Sequence, residues 1–139
     1  MGGDDLKDGV VGARIVICND YEYEILREKT GLDAAAMLQT AEAVIVTRGE
    51  KGSSIVLRDR TIDTAAVPPV EAVDPTGVGD AFRGGLMKGL AAGAPWETCG
   101  RLGSVAATYA LEHMGGSSHR YTWAEFQARY ESHFGPLVV

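Results

Sequence analysis

Asp74-Pro-Thr-Gly-Val-Gly-Asp80-Ala-Phe-Arg-Gly-Gly85 is the stretch on which the reading of this chain turns. Pro75 fixes one backbone angle, and Gly77 and Gly79 admit conformations that residues with a Cβ resist. After Gly79 the pattern becomes helical. Val78, Phe82, Leu86 and Leu90 recur at four-residue spacing, with Ala81 and Gly85 beside them. Gly93 and then Pro95 end the helix. A Gly-rich turn that opens into a helix N-terminus presents unpaired backbone N–H groups and the positive end of the helix dipole, a combination that suits an anion. A carboxylate, Asp80, stands at that same end. An acid beside an anion hole points to a base working on a group that attacks a phosphate. The plainer alternative is that Asp80 caps the helix or complements its dipole. The stretch is not a Gly-x-x-x-x-Gly-Lys-Ser/Thr loop, because Gly77 leads to Asp80 and Phe82. Nor is it Gly-x-Gly-x-x-Gly, because Phe82 holds the third glycine position.

The bulk properties bound what such a turn can serve. With 139 residues the chain is long enough for one domain with a real core, and a chain near this size buries roughly 68–70% of its unfolded surface. Hydrophobic content of 45% and charged content of 23% are those of an ordinary globular protein. No apolar run approaches the roughly 20 residues that span a membrane, so no membrane partner is expected. Met1-Gly-Gly-Asp-Asp-Leu-Lys-Asp8 lacks the apolar segment of a signal peptide, and a cytoplasmic location is the expectation. Cys18 and Cys99 lie inside apolar patterns and read as small buried hydrophobes, not as a disulfide or a metal pair. A net charge of −6 argues against a general nucleic-acid binder. It leaves room for a nucleotide, which magnesium and a local anion hole can hold.

Upstream of the central turn the chain alternates strands and helices. Residues 1–12 form a loose Gly- and Asp-rich lead-in. Ala13–Cys18 reads as a short strand buried on both faces. Asn19 starts a helix to about Lys29 that Gly31 closes, and Asn19-Asp-Tyr-Glu22 has the spacing of a capping box. Asp33 caps a short Ala-rich helix, Ala34 to Ala41. Ala43–Thr47 is a second apolar strand, ending in the polar turn Thr47-Arg-Gly-Glu-Lys-Gly52. Ser54–Leu57 and Thr61–Thr64 make a strand pair around Arg58-Asp59-Arg60. Strand–helix–strand spacing implies right-handed βαβ units in a mostly parallel α/β sheet with flanking helices. Ligands of such sheets bind beyond the carboxyl ends of the strands, where Asn19 and Thr47 fall. Arg48 can meet phosphate or face solvent, and Lys51 is expected to face solvent. Val67-Pro-Pro-Val-Glu-Ala-Val is extended, because proline pushes its neighbours out of the helical region.

Downstream, Pro95 opens a long helix from Trp96 to about His113. Trp96, Cys99, Leu102, Ala106, Tyr109 and Ala110 share one face, and Gly100 and Gly103 allow close packing on the Asp80 helix. His113 and His119 flank a Gly-Gly-Ser-Ser loop and read as surface histidines, since no third metal ligand has suitable spacing. Thr122-Trp-Ala-Glu125 is a capping box that starts the last helix, to about His133, with Trp123, Phe126 and Tyr130 packing it down. There are no internal repeats and no linker long enough to divide the chain, so residues 1–139 are expected to form one domain.

Asp74 to Gly85 resembles the C-terminal signature of the ribokinase-like (PfkB) family of sugar and nucleoside kinases, Asp-Thr-Thr-Gly-Ala-Gly-Asp-Ala-Phe, with Pro75 and Val78 as mild departures. Asn19-x-x-Glu22 after a strand is similar to a second motif of that family, and Thr47-x-Gly49-x-x-Gly52 to a third. The resemblance implies a three-layer ribokinase-like fold and transfer of the ATP γ-phosphoryl group to an alcohol of a sugar or nucleoside. It implies Asp80 as catalytic base; an anion hole of Gly77, Val78, Gly79 and Asp80; and nucleotide contacts at Thr47, Gly49, Gly52 and Thr76. It further implies magnesium and phosphate at Asn19 and Glu22, and a monovalent cation, K+, near Asp74, Thr76, Ala110 and Gly115. His119 stands where ribokinases commonly have Ser. The stretch around Glu112-His-Met-Gly-Gly-Ser-Ser-His-Arg-Tyr121 is more similar to nucleoside kinases than to hexose kinases. The resemblance covers nearly all of this chain but only the C-terminal half of the family pattern. The other half carries a Gly-Gly substrate motif and a β lid. Two expectations follow: a working kinase half, or a truncated, noncatalytic nucleotide-binding module. A homodimer, or a second chain supplying the missing half, would cover the exposed edge.

Overall fold

The computed structural model describes Gly9 and residues 14–69, 72, 77–112 and 121–137. They fall into two compact units. One comprises Met1–Arg48 with Ser53–Asp63, and the other Gly49–Gly52 with Thr64–Val139. Each is described by itself.

The first unit is a four-stranded sheet with helices, in strand order β1 (Ile15–Asn19), β2 (Ala43–Thr47), β3 (Ser53–Val56) and β4 (Thr61–Thr64). β1 and β2 are parallel, pairing Ile15 with Ala43 through to Asn19 with Thr47, and the crossover carries α1 (Asp20–Thr30) and α2 (Ala34–Met37). β2 and β3 are antiparallel, with Thr47 opposite Ser53. β3 and β4 are neighbours joined by residues 57–60, where the Leu57 N–H donates to the Arg60 carbonyl at 2.8 Å. So short a link permits only a hairpin. The sheet is therefore mixed, with its parallel pair at the helical crossover. β2 is buried along Ala43–Val46. β1 alternates: Val16 and Cys18 are buried, whereas Ile15 and Ile17 are half-buried, so one face only is fully covered. Val16, Cys18, Val44 and Val46 form that core with Met37, Leu38 and Ala41, and Tyr23 and Leu26 of α1 pack against it.

The helix caps are local chemistry. The Asn19 side chain accepts the Glu22 N–H at 2.7 Å, and the Asn19 N–H donates to Glu22 Oε1 at 2.9 Å, closing the capping box. Gly31, at φ 71°, ends α1. Asp33 caps α2 as expected, yet α2 stops at Met37, short of Ala41. The cause is tertiary. Arg58 takes the Leu38 carbonyl at 2.6 Å and the Ala41 carbonyl at 3.0 Å. The Glu42 N–H, which a longer helix would turn onto Leu38, donates instead to the Arg14 carbonyl at 2.6 Å.

The second unit is helical: α3 (Val78–Ala91), α4 (Trp96–Leu111) and α5 (Trp123–Phe134). α3 and α4 form a hairpin that packs backbone against backbone. A Cβ on Gly85 would stand 2.5 Å from the Leu102 carbonyl oxygen, and one on Gly103 would stand 2.9 Å from the Phe82 ring. Only glycines permit that approach. Val67, Leu102, Val105, Ala106, Tyr109, Phe126 and Tyr130 make the core. At the α5 start, Thr122 Oγ1 accepts the Glu125 N–H at 3.1 Å, and the Thr122 N–H donates to Glu125 Oε1 at 3.4 Å. Phe126 and Tyr130 are buried, but Trp123 stays 43% exposed. Its ring stacks on Phe126 at 5.6 Å and carries Lys88 Nζ at 4.1 Å from its centre, because the first residue of the helix sits at its rim. Cys18 and Cys99 are buried thiols, Cys18 Sγ donating to the Ile45 carbonyl at 3.9 Å and Cys99 Sγ to the Ala94 carbonyl at 3.6 Å. Among the described residues no helix is long and apolar enough to cross a membrane.

Candidate functional site

At the start of α3 the second unit presents a helix N-terminus of the kind that suits an anion. Gly77 is the N-cap and is left-handed, with φ 78° and ψ 5°, a conformation that costs any residue with a Cβ. The first helical bond runs from the Ala81 N–H to the Gly77 carbonyl at 2.9 Å. The N–H groups of Val78, Gly79 and Asp80 precede it and have no helical acceptor. No side chain among the described residues caps this end. Gly79 does not need a special conformation: it is not among the glycines with positive φ, and a Cβ there would meet nothing within 4 Å. The strain of the turn falls on Gly77 alone of the pair.

Asp80 lies in the first turn of α3, its side chain 87% exposed, with Arg83 Nη1 3.6 Å from Oδ1. An exposed pair of this kind contributes little to stability. The carboxylate is therefore carried in the first turn of the helix and open to solvent.

In the first unit the strand ends collect polar groups. Asn19, Thr47 and Ser53 are register partners across β1, β2 and β3, so their side chains leave the same face of the sheet. This is the carboxyl end of the parallel pair, the ligand side of such sheets. Glu22 is exposed, and its Oε1 accepts the Asn19 N–H. Ser53 Oγ is buried without a hydrogen-bond partner among the described residues. Sequence reasoning missed Ser53, although it directly follows the Thr47–Gly52 turn.

That turn is a 3-10 segment, Gly49–Lys51, with Gly49 at φ 57° and Gly52 at φ 90°. The Gly52 N–H donates to the Gly49 carbonyl at 3.0 Å, and a Cβ on Gly52 would strike the Thr64 carbonyl. Lys51 is exposed, as expected. Arg48 is committed elsewhere: Nη1 donates to Ser54 Oγ at 2.6 Å, and Ser54 Oγ donates to Asp63 Oδ1 at 2.6 Å. Ser54 is the register partner of Val46, on the face opposite Thr47. Arg48 is thus drawn away from the Asn19–Thr47–Ser53 face.

Asp74, Thr76, His113, Gly115 and His119 lie outside the described residues. Ala110 is buried in the last turn of α4, where the Glu112 N–H donates to the Thr108 carbonyl at 3.1 Å. Among the described residues no group of three His, Cys, Asp or Glu side chains could hold a metal ion by itself.

The solved structure of Methanocaldococcus jannaschii nucleoside kinase, an archaeal member of the ribokinase family, matches with a TM-score of 0.92 at 28% identity over 96% of this chain and 44% of that one. Burkholderia thailandensis nucleoside kinase in complex with ADP-inosine matches with a TM-score of 0.94 at 39% identity, over 97% of this chain and 42% of that one. The fold is therefore ribokinase-like α/β, present here as a portion. The cytidine kinase of Thermococcus kodakarensis is 38% identical over 118 residues, 81% of this chain and 42% of its own length. Residues 3–123 match the model of the pfkB family carbohydrate kinases, and the chain belongs to that family. It spans less than half the length of the curated relatives it matches.

Proposed function

We propose that this chain is the nucleotide-binding and catalytic half of a PfkB-type kinase, which moves the γ-phosphoryl group of ATP to an alcohol of a nucleoside or sugar. The observation that carries the reading is the left-handed Gly77 opening α3 with a carboxylate, Asp80, in its first turn. Asp80 accepts the proton of the attacking hydroxyl. In a loose transition state that proton leaves late, so a weak base suffices. The N–H groups of Gly77, Val78, Gly79 and Asp80 hold the charge that develops on the phosphoryl oxygens. Thr47, Gly49, Gly52 and Thr76 contact the nucleotide. The named relatives, nucleoside and cytidine kinases, favour a nucleoside as acceptor.

Asn19 and Glu22 are the residues that would hold magnesium. The donor set fits only in part: one Glu22 oxygen serves the helix cap and the other is available, which suits a hydrated ion bound through its waters. Bound there, magnesium neutralises phosphate charge. Asp74, Thr76, Ala110 and Gly115 are the proposed surroundings of K+.

A second reading rests on length. The chain covers 42% and 44% of the two solved kinases, so a noncatalytic nucleotide-binding module, or a half completed by a second copy or another chain, is the alternative. The test is ADP release from Mg-ATP with inosine, cytidine, adenosine, ribose and fructose, beside Asp80→Asn. Acceptor-dependent turnover should fall by at least about 10² in kcat in the variant, in line with general-base contributions. Full activity of Asp80→Asn removes Asp80 from the mechanism. Folded wild-type protein that binds Mg-ADP without turnover establishes the noncatalytic module.

A further inference from the structure

A polar relay in the first unit joins three strands and is not used by the proposed chemistry. Arg48 Nη1 donates to Ser54 Oγ at 2.6 Å, and Ser54 Oγ donates to Asp63 Oδ1 at 2.6 Å. The groups themselves fix the directions. A guanidinium can only donate, so Ser54 accepts from it and keeps its one proton for the carboxylate. Ser54 is buried. Arg48 directly follows β2, Ser54 lies in β3 and Asp63 lies in β4.

The relay brackets the turn that the nucleotide reading needs. Thr47 and Ser53 are partners across β2 and β3, so residues 48–52 form the hairpin loop. Gly49 and Gly52 both have positive φ, 57° and 90°, and the Gly52 N–H donates to the Gly49 carbonyl at 3.0 Å. Two glycines leave such a loop much backbone freedom in the absence of other restraints. Arg48 supplies a restraint. Its side chain bonds to Ser54, the partner of Val46 on the face opposite Thr47. The first loop residue is thereby tied to the strand into which the loop runs. Arg48 is one peptide bond from Gly49, and Ser54 directly follows Ser53. We propose that Arg48 is a positioning residue for the nucleotide site: through Ser54 and Asp63 it holds the Thr47–Gly52 turn in its binding conformation before the nucleotide arrives. The inference rests on the proposed kinase reading, in which Thr47, Gly49 and Gly52 contact the nucleotide. Arg48 touches no phosphate itself and acts through the loop backbone. Such preorganisation raises affinity by removing the cost of ordering the loop from the binding step.

The test compares wild type with Arg48→Met, Ser54→Ala and Asp63→Asn. Thermal midpoint, calorimetric affinity for Mg-ADP, and amide exchange at Gly52 are measured on each. Ser54→Ala is decisive, because it breaks the relay yet leaves the Arg48 charge in place and able to reach an anion. Arg48→Met and Ser54→Ala should both lose about tenfold in Mg-ADP affinity, within the ~10²-fold that a 1 Å misplacement can cost. Both should exchange faster at Gly52. Asp63→Asn keeps an oxygen acceptor for Ser54 and should stay close to wild type in both readouts. A folded Ser54→Ala variant that binds Mg-ADP as wild type does overturns the proposal, and a loss confined to Arg48→Met assigns Arg48 to direct phosphate contact instead. Wild type that binds no Mg-ADP counts against the kinase reading. In that case exchange decides: faster exchange at Gly52 in folded Ser54→Ala supports the hold on the loop, and unchanged exchange overturns it.

Discussion

Neighbouring glycines on α3 should respond to the same substitution with opposite signs. Gly84 is exposed, and a Cβ there would meet nothing within 4 Å. Gly84→Ala should therefore stabilise the chain by about 0.5–1 kcal/mol, the helix-interior difference between the two residues. Gly85 is buried, and its Cβ would stand 2.5 Å from the Leu102 oxygen, 2.8 Å from the Leu102 carbon and 3.0 Å from Gly103 Cα. All three are backbone atoms of α4 and cannot rotate aside. Relief to ordinary contact requires α3 and α4 to part by nearly an ångström. Overpacking of this kind costs about 1–3 kcal/mol, and the same helix-propensity gain offsets part of it. Gly85→Ala should thus be net destabilised by up to about 2.5 kcal/mol. At roughly 3–5 °C per kcal/mol for a chain of this size, its thermal midpoint should lie at least about 3 °C below that of Gly84→Ala. Circular dichroism melts at one protein concentration read this directly. Gly85→Ala melting at or above Gly84→Ala would refute the close packing of the hairpin. Because α3 carries Asp80, Gly85→Ala should also weaken Mg-ADP binding, whereas Gly84→Ala should not.

Two further outcomes follow from the geometry. Gly77→Ala places a Cβ at φ 78° and should cost about 1–2 kcal/mol, with weaker Mg-ADP binding. Gly77→Asn should recover part of both, and an Ala variant indistinguishable from wild type would show that the turn is not left-handed. Burial raises the Cys99 thiol above its ordinary value of 9.0, with the nearby Glu97 carboxylate a lesser cause in the same direction. The folded state therefore holds that proton more tightly than the unfolded chain. The stability linked to it is complete below pH 9.0 and is lost as pH rises through the raised value. Melting midpoints should decline above about pH 9 less steeply in Cys99→Ala than in wild type. Equal slopes would assign the decline to other groups.

The parts of the molecule legible in the sequence are those governed by neighbours along the chain. The two capping boxes, Asn19 with Glu22 and Thr122 with Glu125, are hydrogen bonds across three residues, so spacing is sufficient to see them. The Gly31 and Gly93 stops, the β2 strand and the start of α3 at the Gly77 turn are equally local. The family motifs lie on these same segments.

Where the reading fell short, partners distant in sequence decided the outcome. α2 ends early because Arg58 and Arg14 compete for its carbonyl and N–H groups. Arg48 turns from the Thr47 face because Ser54 and Asp63 hold it. Trp123 remains at the surface over Phe126 and under Lys88. The Arg129–Glu112 pair spans 17 residues, and its reach to Pro68 spans 61. By itself, then, the sequence determined the caps, the strand and helix order, the glycine turn before α3 and membership of the kinase family, because each depends on short-range spacing. Only the tertiary structure decided which face of β1 is covered, where α2 stops, which cations are committed to structure, and which partly buried charges join separate segments. Those depend on competition among groups that the folded chain alone brings within hydrogen-bonding distance.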